Sequence, residues 1–204
     1  GLTSRDESNR CEAVQREVWG RADPADNSDI LLAIQPEGGL VAGAFSEGRM
    51  LGFLFGFPTS QPDVQHSHRL AVHPDSRGMG LGVKLKWYQR DWCLERGITT
   101  VRWTYDPLRR VNANLNIARL GATAGTYYHD YYGKMEGINS GFASDRLLAE
   151  WHLTAPEVVH RAENPRPPPV TCGDPRVWPR CTSPSPPDSH KYSTPSPARN
   201  KRNR

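Results

Sequence analysis

The stretch LAVHPDSRGMGLG, residues 70–82, decides the fold of this chain. A short apolar strand runs through a proline into Arg77, and glycines at 78, 80 and 82 lead into the helix-compatible run VKLKWYQRDWCLER. Glycines let backbone N–H groups come close to a ligand, and a helix N-terminus carries about half a positive charge. With the guanidinium of Arg77 added, the segment predicts a site for an anion such as a pyrophosphate.

Two other glycine-rich motifs fit this stretch poorly. The dinucleotide-binding motif G-x-G-x-x-G needs a third glycine where this chain has Leu85 or, in the other register, Val83. Asp106 ends the next predicted strand, but without that glycine it gives little support to a ribose contact. The G-K-[ST] ending of a nucleotide-binding P-loop is missing from the sequence. Nicotinamide-dependent enzymes and P-loop NTPases therefore become poor candidates.

The spacing Arg77-x-x-Gly80-x-Gly82 resembles the acyl-CoA-binding signature Q/R-x-x-G-x-G/A of the GNAT acetyltransferases. The runs SHRLAVHPDSRGMGLGVKLKWYQRDW and WTYDPLRRVNANLNIARLGA extend the likeness over about residues 11–155, towards a bacterial branch of predicted acetyltransferases in that superfamily. This resemblance implies an α/β (α+β) GNAT fold. Such a fold has a mixed central β-sheet, helices on both faces, and an acyl-CoA cleft between two splayed strands.

The resemblance also implies direct transfer of an acyl group, most simply from acetyl-CoA to an amine, without a metal. Backbone groups of Ala71 and Val72 are expected to pair with the pantetheine arm, and an amide near Val72 to polarise the thioester carbonyl. Asn112, in the helix after the next strand, is expected either to bind the cofactor or to cap its helix. The pyrophosphate is expected to bind Arg77 and the amides of Gly78, Met79, Gly80, Leu81, Gly82 and Val83.

The chain departs from the family pattern at one catalytic position. Many GNAT enzymes have a Tyr four residues before a Gly in the helix after the fifth strand, and it protonates the leaving thiolate. Counting back from Gly121 gives Ile117, so no general acid is assigned. Substitutes are offered by four tyrosines whose alternative role is packing: Tyr127, Tyr128, Tyr131 and Tyr132.

The general base has three candidates. His68 and His66 lie two residues apart on one predicted strand, and the ordinary pKa of an imidazole suits proton removal at neutral pH. Either could instead satisfy a backbone group. Asp106 is the rival, with turn formation before Pro107 as its alternative role. Trp103 and Tyr105 share a strand face and could line the acceptor pocket or belong to the core.

Two functional classes follow. An active acyltransferase predicts a base that reaches the thioester, whereas a noncatalytic acyl-CoA-binding or scaffold protein would keep the glycine loop without proton-transfer groups. The intact loop and the nearby His residues favour the enzyme. The Ile117 departure favours the alternative.

The composition changes near residue 156. Residues 156–204 hold 12 of the 18 prolines, and we expect them to form a disordered tail after a GNAT domain over residues 1–155. This tail has nine Lys or Arg and four Asp or Glu, so the net charge of +4 leaves −1 for the domain. Nucleic acid is therefore not an expected partner of the domain. The tail could itself be an interaction segment, but a solvated extension is favoured.

The four cysteines have no C-x-x-C spacing, and no apolar run reaches the roughly 18 residues of a membrane span. We therefore expect reduced thiols, a cytoplasmic location and no membrane partner. A small-molecule or peptide amine is the expected acceptor, and a homodimer is a further possibility.

The apolar patterns predict the order of the elements. A helix over residues 12–19 is followed by a strand ILLAIQ at 30–35 and a hairpin of strands at 40–45 and 50–57. Then come a strand at 65–72, the glycine loop with its helix, a strand at 98–105, a helix at 111–120, and strands at 126–132 and 147–153.

Overall fold

The computed structural model describes residues 1–2, 4–133 and 144–165 of the 204-residue chain. Its helices are α1 (Arg5–Trp19), α2 (Ser28–Ala33), α3 (Leu81–Leu94), α4 (Arg110–Ala113, extended by a π-helical turn over Asn114–Arg119) and α5 (Pro156–Glu163). Its strands are β1 (Leu40–Ser46), β2 (Arg49–Pro58), β3 (Val64–Val72), β4 (Thr100–Tyr105), β5 (Thr123–Tyr128) and β6 (Arg146–His152).

The strands form one mixed sheet in the order β1-β2-β3-β4-β6-β5. Only β3 and β4 are parallel, and α3 joins them as a crossover, so the predicted βαβ unit is confirmed. The other neighbours are antiparallel. The hairpin between β1 and β2, with Glu47 and Gly48 at positive φ in its turn, is also confirmed.

Alternating side chains send the apolar residues of β1–β3 to both faces of the sheet. On one face, Phe53 and Phe55 of β2 pack with Val14 of α1 and Leu31 of α2. On the other face, Leu54 packs against the helix α3. A third cluster joins β4 and β6 to α3 around Trp151, whose indole N–H donates to the carbonyl of Leu120 at 2.9 Å. Helices therefore cover both faces, as predicted.

The run ILLAIQ is mainly helical, and its prediction as a strand is wrong. Asn27 caps α2, because its side chain accepts a hydrogen bond from the Asp29 amide at 2.7 Å. Within the run Leu31 is buried and Ile30 is exposed. An apolar run of this length is compatible with a strand or a helix, and here the cap at Asn27 favours the helix. The antiparallel strands at this end of the sheet are therefore β1, β2 and β3, and the run ILLAIQ is not one of them.

The predicted start of the disordered tail at residue 156 is wrong for its first residues, because helix α5 covers Pro156–Glu163. Pro156 lies in the first turn, where a missing N–H costs no hydrogen bond. Val158 is buried in the third cluster, with Trp151 and Leu153. Packing against the sheet therefore outweighs the polar composition of this segment. Residues 166–204 lie outside the described residues, and their disorder stays a prediction.

The packing of α5 can be tested by removing its buried side chain. Val158→Ala should lower the free energy of unfolding by about 1–3 kcal/mol, because it leaves a cavity beside Trp151. Urea unfolding of the full chain measures the change. Val159→Ala is the matched control, because Val159 lies next to Val158 in the same helix but is only half-buried. The free energy of unfolding should fall clearly less in this variant. Equal losses would contradict the packing of α5 described above.

Candidate functional site

The glycine loop begins after β3 and leads into α3. Gly78 and Gly80 have positive φ angles of 81° and 74°, a conformation that favours glycine. Gly80 directly precedes α3, and no side chain of the described residues caps this helix end. The first N–H groups of a helix lack partners within it, so those of α3 are available to a ligand. Arg77 and Met79 are exposed at the same loop.

The strands β3 and β4 separate next to this loop. They pair only through Val64, Gln65 and His66, although β3 continues to Val72 and β4 to Tyr105. At Ala71 and Val72, β3 pairs with β2 on its other side. The edge of β3 that faces β4 is therefore left open to a ligand in extended conformation.

A cleft of about 600 Å³ lies where the two strands separate. It brings together His68, Asp106 and Asn112 of the residues predicted from sequence, together with both aromatic residues of β4, Trp103 and Tyr105. Both aromatic residues are also buried in the core. Trp103 and Tyr105 therefore line the cleft and belong to the core at the same time. Loop residues 77–83 do not line this cleft.

A β-bulge at His68 shapes the α1–α2 side of the cleft. Phe55 of β2 is opposite Arg69, whereas Gly56 is opposite Ser67, so His68 is the extra residue. The bulge lets the consecutive side chains of His68 and Arg69 point to the same side. There both reach Asp26, with 3.3 Å from His68 Nε2 to Oδ1 and 3.0 Å from Arg69 Nε to Oδ2.

Asp26 is the residue that orients His68. Burial raises the pKa of this carboxyl, but the hydrogen bond with His68 and the charge of Arg69 outweigh burial and lower it. A carboxylate that fixes an imidazole is the arrangement of a base and its orienting group. Sequence analysis missed Asp26 because it comes from the loop between α1 and α2, far from β3 along the chain.

The rival bases have other contacts. His66 stacks on Phe57 with ring centroids 4.8 Å apart, and burial lowers its pKa to about 4. Asp106 accepts a hydrogen bond from the Leu108 amide at 2.9 Å and lies 3.6 Å from Arg109 Nε. These contacts give Asp106 the role of a turn residue that also lines the cleft.

Lys86 of α3 is a cleft residue that sequence analysis did not single out. Its side chain is buried, with Nζ donating to Gln89 Oε1 at 2.8 Å and to Ser67 Oγ at 3.1 Å, and lying 3.7 Å from the centroid of the Trp103 ring. Burial lowers its pKa to about 7. A signal was present, since Lys86 shares helical spacing with Gln89 and Cys93 on the buried face of α3.

A known sequence family covers the part of the chain that forms β3, the glycine loop and α3. The sequence model of the acetyltransferase (GNAT) family matches residues 5–116, which is more than half of the chain. The chain belongs to this family. The glycine loop, the open edge of β3 and His68 all lie within the matched residues.

Solved GNAT structures share the fold at low sequence identity. The Escherichia coli ribosomal-protein-S18-alanine N-acetyltransferase is 18% identical with a TM-score of 0.62, over 75% of this chain and 92% of the other. The yncA protein of Salmonella typhimurium, solved with acetyl-CoA, is 16% identical with a TM-score of 0.60 (76% and 93% covered). An N-acetyltransferase of Staphylococcus aureus Mu50 is 14% identical with a TM-score of 0.62 (76% and 97% covered). The curated proteins gave no match.

In this GNAT acetyltransferase, Ile117 does not face the cleft. The helix widens to a π-turn in which the Leu120 amide donates to the Leu115 carbonyl, five residues back. Ile117 lines a separate depression of about 500 Å³ with Tyr105 and Arg161, whereas the buried Asn116 lines the cleft. Counting four residues back from the glycine assumes a regular α-helix, so it does not find the residue that faces the cleft.

The tyrosines proposed as substitute acids separate into different environments. Tyr132 lines the cleft, with its hydroxyl 3.4 Å from Thr104 Oγ1. Tyr127 donates its hydroxyl hydrogen bond to Asp145 at the edge strand β5. Tyr131 packs on both Tyr128 and Tyr132.

Over residues 1–2, 4–133 and 144–165, no three His, Cys, Asp or Glu side chains gather as metal ligands. No helix in these ranges has the length and apolar character needed to cross a bilayer.

The buried amine of Lys86 predicts a pH-dependent stability. Between about pH 7 and its ordinary pKa of 10.5, the unfolded chain binds a proton that the folded chain does not. The Lys86 contribution to the free energy of unfolding should therefore rise with pH across this window, by on the order of 1 kcal/mol per pH unit.

Lys86→Met should remove this contribution, so its gain in stability over the parent should be largest at or below pH 7 and shrink towards pH 10. Urea unfolding at several pH values measures it. The exposed Lys84→Met is the control and should stay within about 0.5 kcal/mol of the parent at each pH. A Lys86→Met protein with a constant deficit in stability would contradict the burial of a titrating amine.

Proposed function

We propose that this chain is an acyl-CoA-dependent N-acyltransferase that moves an acetyl group from acetyl-CoA directly to an amine. The observation that carries the proposal is the separation of β3 from β4 after three residue pairs, on the strand that leads into the glycine loop. The solved relative with bound acetyl-CoA supports the choice of co-substrate. When bound, acetyl-CoA supplies an activated acyl thioester.

The loop and the open strand edge suit this co-substrate. Among the described residues, no atom lies within 4 Å of the position that a Cβ would take at Gly78 or Gly80, so these residues leave the space above the loop open. Arg77 and the amides of residues 78–83 would hold the pyrophosphate by charge-assisted hydrogen bonds. Backbone groups of Ala71 and Val72 would pair with the pantetheine arm, and Asn112 would contact the same molecule from α4. These residues contribute by positioning.

His68 would remove the proton of the attacking amine. It lines the cleft, and the carboxylate of Asp26 fixes the orientation of its ring. A neutral imidazole accepts a proton readily near pH 7, and the ion pair with Asp26 stabilises the imidazolium that results. Asp106, predicted as the alternative base, is less suited because the Leu108 amide and Arg109 already bond its carboxylate.

The acceptor would be a small-molecule or peptide amine. Structural relatives named for ribosomal-protein alanine and for aminoglycosides support both kinds of amine. The cytoplasm stays the predicted compartment. The noncatalytic alternative rests on the absence of a Tyr four residues before Gly121, since Ile117 has that place in the sequence and lines a depression other than the cleft.

The glycine loop can be tested by calorimetric titration of acetyl-CoA into the full chain. Saturable binding is expected for the parent, and Arg77→Ala combined with Gly80→Val should weaken it by about 100-fold or more, because both the charge and the space above the loop are lost. Gly48→Val is the matched control, since Gly48 has a similar positive φ and equally open surroundings in the β1–β2 turn. Circular dichroism verifies that each variant folds. A folded parent without binding would remove the basis for the proposed activity.

The base can be tested by thiol release from acetyl-CoA with a panel of peptide, lysine and aminoglycoside amines. His68→Asn should lower the rate by about 10²- to 10⁴-fold, and Asp26→Asn by a smaller factor. Asp23→Asn is the control, because Asp23 pairs with Arg69 at 3.0 Å as Asp26 does and is not paired with His68. Binding of acetyl-CoA without release by the parent on any amine would favour the noncatalytic alternative.

A further inference from the structure

Lys86 lies where the two splayed strands separate. The last paired residues of β3 and β4 are His66 and Arg102, so Ser67 and Trp103 are the first residues beyond the pairing. Nζ of Lys86 contacts both, at 3.1 Å from Ser67 Oγ and 3.7 Å from the Trp103 ring centroid. A ligand that extends along the open edge of β3 towards the end of the gap therefore brings its terminal group close to Lys86.

This amine has polar contacts but no acidic partner among the described residues. None of the ion pairs found there includes Lys86, and its hydrogen bonds go to the uncharged Ser67 and Gln89. The titratable groups that act on it are Cys93 of its own helix and His66 of β3. From β4 and β6 it faces the indoles of Trp103 and Trp151. Burial lowers its pKa to about 7, so the ammonium can release a proton near neutral pH.

His68 and Lys86 approach the cleft from opposite faces of the sheet. Ser67 points to α3, where it meets Lys86, whereas His68 points to the α1–α2 side, where it meets Asp26. A base on one side and an acid on the other is what direct transfer requires, since one proton must leave the amine and one must reach the thiolate. The sequence assigned no acid to the second role and offered four tyrosines as substitutes for Ile117, of which Tyr132 lines the cleft beside Thr104.

We propose that the ammonium of Lys86 is the proton donor to the thiolate that leaves during acyl transfer. The inference rests on the proposed function. As the amine nitrogen bonds to the acyl carbon, the C–S bond breaks and its electron pair remains on sulfur. A proton passes from Nζ to that sulfur, which leaves Lys86 as a neutral amine and releases the thiol. His68 takes the proton that the attacking amine loses, and exchange with solvent restores both side chains.

A first test follows the thiol of bound CoA and requires no turnover. CoA is held by excess full-length protein and alkylated with iodoacetamide at several pH values, and chromatography of alkylated CoA excludes the protein thiols. At pH 7 and below, where Lys86 carries its proton, the ammonium should stabilise the thiolate, and the bound thiol of the parent should be alkylated up to about tenfold faster than that of Lys86→Met. The difference should shrink as the pH rises above 7 and the amine becomes neutral. Equal alkylation rates in the two proteins at pH 7 and below would overturn the proposal.

A second test separates proton donation from charge. Release of CoA from acetyl-CoA is followed with water as the acceptor, so that no amine has to be known. Lys86→Met and Lys86→Arg should both be slower than the parent by about 10²- to 10⁴-fold, because Arg keeps its charge but does not release its proton. The parent rate should also fall as pH rises above 7, a fall that both variants lack. Parental rates in Lys86→Arg would reduce the role of Lys86 to its charge and would overturn the donor assignment.

Controls distinguish this inference from the proposed function. Lys84→Met removes an exposed lysine from the same helix and should match the parent in both tests. If the folded parent binds neither CoA nor acetyl-CoA, the proposed function fails and the inference fails with it. If the parent binds both and Lys86→Met behaves as the parent does, only the inference fails. A loss of activity that accompanies a loss of folding would show as lower stability, whereas we expect Lys86→Met to be more stable.

Discussion

The short parallel pairing of β3 and β4 is the constraint on which the rest of the site depends. Parallel strands need a crossover, and here α3 supplies it, so the strand that opens the cleft also leads into the helix whose N-terminus lies beside it. Three residue pairs hold the strands together at one end. Beyond them, the unpaired edge of β3, Lys86 of α3 and the bulge at His68 line the space open to a ligand.

Local signals made most of the fold predictable. The glycine loop, the β1–β2 turn and the alternation in β3 and β4 each depend on neighbours within a few residues, and the structure confirms the elements they predict. The prediction of a strand at ILLAIQ failed because six apolar residues fit either a strand or a helix. The residue that caps the helix, Asn27, lies outside the run. The prediction of disorder from residue 156 failed over α5. This helix is stabilised by burial of Val158 against residues distant in the chain, which its composition does not reveal.

The candidate site was predictable only in part, for the same physical reason. His68, Asp106 and Asn112 do meet in one cleft, because each lies in or next to an element that the sequence reveals. Asp26 and Lys86 acquire their significance from tertiary contacts. A bulge turns His68 towards Asp26, and the separation of β3 from β4 forms the cleft that the buried Lys86 lines. The π-turn before Gly121 adds a further limit, since residue counting along a helix fails where the helix is not regular.

The bulge at His68 also affects how this strand should be compared with others. One extra residue of β3 lies opposite Phe55 and Gly56, so the alternation of side chains between the two faces of the sheet shifts by one residue at that point. Odd-numbered residues before the bulge therefore point to one face, and odd-numbered residues after it point to the other. An ungapped alignment with a strand that lacks the bulge would match residues of one face with residues of the other over half its length. Deletion of the extra residue would restore a regular ladder and leave the remaining side chains on their present faces, because Ser67 and Arg69 would keep their partners Gly56 and Phe55 as consecutive residues.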